Sequence, residues 1–175
     1  GMVWLFAYNH EEAIACFEKA IEADQKCAFA YWGIAYAVGP NYNKHWEVFT
    51  PNEKGPVLEK AHKFIENGLA LPGLPVLEKK LLEALRQRYP ENHTVEDFQP
   101  YSDAFAIAMR PVCQEYSDDL DLICIFVEAL MEFGALICKP KDPKCSQCCL
   151  NKSCRYLKSS NKIETNKRKK TKVMK

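Results

Sequence analysis

Five of the nine cysteines fall within one short stretch near the carboxyl end: Cys138, Cys145, Cys148, Cys149 and Cys154. Four of them, Cys138, Cys145, Cys148 and Cys154, have the spacing C-x6-C-x2-C-x5-C. Four thiolates on one loop can wrap a single inorganic centre. The C-x2-C bite of Cys145 and Cys148 brings two sulfurs to one corner of it. The six-residue loop with Pro140 and Pro143 returns Cys138 to the same place. Thiolates suit soft metals, so the ligand is expected to be an iron–sulfur cluster or zinc. Structural zinc sites often use two short, well-separated pairs. Here one pair is short, which favours the cluster, with zinc as the alternative. A secreted disulfide scaffold would spread its cysteines and avoid an odd number.

Such a loop needs a body to hold it. The chain has 175 residues, 47% of them hydrophobic and 27% charged, as in a folded protein of one domain, or of one domain plus an appendage. No apolar run is long enough for a membrane span. No basic segment followed by an apolar core and a small-residue cleavage site is visible. The net charge of +1 hides a division. Residues 1–138 hold 11 Lys+Arg against 21 Asp+Glu, a balance of −10, whereas residues 139–175 hold 13 against 2, a balance of +11. An acidic body with a basic tail suggests a phosphate-bearing or otherwise acidic partner for the tail.

The first 130 residues read as helices. Asn9, with Glu12 three positions on, is a helix-start signal, and Ala13, Ile14, Phe17, Ala20 and Ile21 recur at helical spacing. A second helix is expected over about 27–38, stopped by Gly39-Pro40. After a loop over 41–46, Thr50-Pro51-Asn52-Glu53 opens a third that runs to about Ala70. Leu71-Pro72-Gly73-Leu74-Pro75 breaks the pattern, and further helices are expected to about Tyr89, over 101–116 with a bend at Pro111, and from Ser117-Asp118-Asp119 to about Cys138. Cys16 and Cys124, in apolar surroundings, read as buried packing residues.

Ala13, Phe17 and Ala20, followed by Tyr31, Ile34 and Ala35 on the next helix, resemble the tetratricopeptide pattern. In it, small residues let paired helices approach and an aromatic fills the gap. The stretches Ala30 to Tyr36 and Gly39 to Asn43 strengthen the likeness, although Asp24-Gln25 stands where such repeats have proline. The resemblance implies a binding scaffold with a protein partner on the helical body.

The segment Ala129 to Cys138, followed by Lys139-Pro140-Lys141-Asp142-Pro143-Lys144-Cys145-Ser146-Gln147-Cys148 and ending at Cys154-Arg155, resembles the iron–sulfur end of A/G-specific adenine DNA glycosylases and endonuclease III. Cys149 departs from that family's proline. The resemblance implies a [4Fe–4S] cluster on Cys138, Cys145, Cys148 and Cys154. It also implies a loop that meets the DNA phosphate backbone through Lys139, Lys141, Lys144, Lys152 and Arg155. Catalysis in that family also needs a helix–hairpin–helix and an aspartate. Leu71 to Pro75 lacks the hairpin's second glycine and reads as a turn between helices. Asp97, Asp103, Asp118, Asp119 and Asp121 read as turn and cap residues, so no catalytic residue is assigned. The histidines, His10, His45, His62 and His93, are scattered, and no G-x-S-x-G or phosphate-cradling glycine loop occurs. The run Lys167 to Lys172 in the tail resembles a nuclear-import signal or a nucleic-acid arm.

The expectation is therefore an all-α chain: tetratricopeptide-like antiparallel helix pairs over 1–128, an iron–sulfur loop over 129–157, and a disordered basic tail over 158–175. The function expected is that of a noncatalytic iron–sulfur protein with DNA affinity. An intracellular location is expected, and the lysine run suggests the nucleus. Two alternatives stand beside this reading. One is a tetratricopeptide-type interaction protein with a vestigial or zinc-binding cysteine loop. The other is a fragment of an active adenine DNA glycosylase.

Overall fold

The computed structural model describes residues 1–91, 94–136 and 145, and for residues 132–136 the backbone alone. The described residues are all-α, with seven helices: α1 Met2–Phe6, α2 His10–Ala23, α3 Ala28–Val38, α4 Pro51–Leu69, α5 Val76–Arg86, α6 Gln99–Glu115 and α7 Leu120–Leu136. A single 3-10 turn, Trp46–Val48, lies between α3 and α4. No helix among these residues is long and apolar enough to cross a membrane. The chain divides into two units, Gly1–Phe133 and Gly134–Lys175, and the helical body is the first of them.

The helix starts expected from sequence are present. Asn9 Oδ1 accepts the Glu12 N–H at 3.4 Å. At α4, the Thr50 backbone N–H and its Oγ1 hydroxyl each donate to Glu53 Oε2 at 2.8 Å, closing the first turn around a Pro51 that needs no N–H partner. Asp119 Oδ1 accepts the N–H groups of Asp121 and Leu122, each at 3.1 Å, and so starts α7. Leu71 to Pro75 forms the turn between α4 and α5, with Gly73 at φ 70°, a left-handed conformation that favours glycine.

Two local features run against residue propensity. The short helix α1 ends in a reciprocal closure: the Tyr8 N–H donates to Leu5 O at 3.0 Å and the Asn9 N–H to Trp4 O at 2.9 Å. That geometry puts Tyr8 at φ 57°, a place usually taken by glycine. Pro56 lies inside α4 rather than ending it, because the surrounding face, Leu58, Ala61, Ile65 and Gly68, is buried and tertiary packing outweighs the lost hydrogen bond.

The succession is antiparallel throughout. His10 Nδ1, at the start of α2, donates to Ala37 O at 2.8 Å near the end of α3. Tyr31 at the start of α3 packs against Phe64 late in α4, ring centres 6.2 Å apart. His62 Nε2 donates to Pro90 O at 3.1 Å. Lys80 early in α5 donates to Glu115 at the end of α6, and Cys113 on α6 donates its thiol to Leu122 O at 3.4 Å. Helices α2 to α7 each turn a stripe toward one shared core: Ala13 and Phe17, Ile34 and Ala35, Leu58 and Ile65, Leu81 and Leu85, Phe105 and Met109, then Leu122 and Ile125. Of the single cysteines, Cys113 is buried and Cys16 half-buried. Cys124 is exposed, not buried as its apolar context suggested. It lies on α7 opposite the stripe of Leu122, Ile125 and Ala129 that faces the core.

Candidate functional site

Of the residues expected to hold a metal, the structure describes Cys145 alone; it is a free, half-buried cysteine. Cys138, Cys148 and Cys154 lie outside the described residues, as do Cys149 and the phosphate-contact candidates Lys139, Lys141, Lys144, Lys152 and Arg155. The tail over 158–175, with the run Lys167 to Lys172, and His93 lie outside them as well. Among the described residues no group of three or more His, Cys, Asp or Glu side chains is placed to hold a metal ion. The helix that leads into the cysteine segment, α7, runs to Leu136.

Two constellations in the first unit were not legible as such in the sequence. One is an interior charged cluster. Arg88, just beyond α5, is fully buried. Its guanidinium lies 5.2 Å from the ring centre of Tyr36 on α3 and 5.1 Å from that of Phe105 on α6. The Tyr36 hydroxyl donates to Glu128 Oε2 on α7 at 2.9 Å. Glu128 is 9% exposed, and its other oxygen has no hydrogen-bond partner among the described residues. A buried cation over aromatic faces gains more than an exposed one because water does not compete. The cluster thereby ties α3, the end of α5, α6 and α7 together. No nucleophile–base pair is placed in it, and its chemistry is that of a structural clasp. Sequence offered only faint signals: one arginine before Tyr89-Pro90, and one glutamate in the apolar run from Leu122 to Met131.

The other is an open cleft of about 460 Å³ where the start of α2, the end of α3 and the start of α4 converge. Its apolar lining includes Ile14, Val38, Phe49 and Val57, and its polar lining includes Asn41, Lys44 and Glu53. Asn41 sits in a tight turn and is 8% exposed. Its Oδ1 accepts the N–H groups of Asn43 at 2.8 Å and Lys44 at 2.9 Å. Lys44 Nζ pairs with Glu53 Oε1 at 2.9 Å and stands 4.3 Å from the Phe49 ring centre. The Thr50 backbone N–H, and with it the Lys44 ammonium and the Thr50 hydroxyl, hold the Glu53 carboxyl at about 2, well below its ordinary value of 4.5. An aromatic stack supports this end of the fold: Trp46 lies on Phe98 with ring centres 4.2 Å apart, and the Tyr89 hydroxyl donates to Ala35 O at 2.6 Å.

Three of the acidic residues, Asp97, Asp103 and Asp119, make structural hydrogen bonds. Asp119 caps α7, and Asp97 Oδ1 accepts the Gln99 N–H at 3.0 Å. Asp103 accepts from Gln99 Nε2 at 2.7 Å, while burial pushes its carboxyl upward. Burial likewise raises the Cys113 thiol, away from the thiolate that nucleophilic or metal chemistry requires. Compared with family models, with curated proteins and with solved structures, the chain matches none.

Proposed function

We propose that the chain is a noncatalytic iron–sulfur protein with DNA affinity, in which a helical interaction scaffold carries a cysteine loop of the DNA-glycosylase type. The observation behind this reading is the spacing C-x6-C-x2-C-x5-C of Cys138, Cys145, Cys148 and Cys154, directly after α7. Four thiolates at that spacing suit a [4Fe–4S] cluster. The cluster would clip the loop so that Lys139, Lys141, Lys144, Lys152 and Arg155 meet the phosphate backbone. Zinc is the alternative occupant. The scaffold half is favoured by the α2–α3 pair, where Gly33 on α3 leaves room for the ring of Phe17 on α2: a Cβ there would stand 2.5 Å from it. Small-against-aromatic packing of this kind is how tetratricopeptide helices approach one another.

Elemental analysis of anaerobically purified full-length protein tests the reading. The expected result is a brown protein with about four iron per chain, lost when Cys145 and Cys148 are changed to Ser. A colourless protein with one zinc per chain, or with no bound metal, refutes the iron–sulfur assignment.

A further inference from the structure

We draw no further inference here: the strongest candidate, the exposed stripe of Leu120, Cys124, Val127 and Met131 along the outward face of α7, is an apolar helix face for which nothing in the structure shows what covers it.

Discussion

Gly33→Ala on α3 sets two effects of opposite sign against each other. In a helix interior, alanine is better than glycine by about 1 kcal/mol, so propensity alone expects stabilisation. The added Cβ, however, would stand 2.5, 2.6 and 2.7 Å from three ring carbons of Phe17, against an ordinary carbon–carbon contact of about 3.5–4.0 Å. Phe17 is 5% exposed, so its ring cannot swing out to solvent. It must shift within a packed interior, which costs about 1–3 kcal/mol. With overlap at three atoms the upper end applies, and the net expectation is destabilisation by about 2 kcal/mol, with a fall in Tm of about 4–8 °C. Urea and thermal unfolding followed by circular dichroism measure it. Phe17→Leu should relieve the clash, so Gly33→Ala should cost much less in that background, giving a coupling of about 1 kcal/mol or more in a double-mutant cycle. A Gly33→Ala protein as stable as the parent, or more stable, would refute the ring-against-glycine packing of α2 on α3.

Further outcomes can be checked independently. Tyr36→Phe removes the donor to buried Glu128 and should cost about 1–3 kcal/mol in chemical denaturation; no change would mean that the clasp between α3 and α7 contributes nothing. The Glu53 carboxyl, lowered from 4.5 to about 2, adds stability that is complete above pH 4.5 and lost as pH falls toward 2. NMR titration should show that low midpoint, and Glu53→Gln should remove this part of the acid dependence. If the five basic loop residues each meet a phosphate, the logarithm of DNA affinity should fall with the logarithm of salt at a slope of about −4.5. A slope near zero would remove the loop from the interface.

How far the sequence alone reached differs between backbone and interior. Helix boundaries are local chemistry: Asn9, Thr50 with Glu53, and Asp119 satisfy free N–H groups within a few residues of themselves, and Gly73 supplies the φ its turn requires, so these were legible in order. The cysteine spacing from Cys138 to Cys154 is read from the chain alone, and of its four members only Cys145 is among the described residues. Burial of Arg88 and Glu128 was not legible, because a charged residue enters the interior only when aromatic faces and a hydroxyl from distant helices meet it; Tyr36 and Glu128 are 92 positions apart. The exposure of Cys124 has the same origin. Which face of an apolar helix turns outward follows from how α7 packs on the other helices, and side-chain contacts across the fold depend on that packing rather than on neighbouring residues.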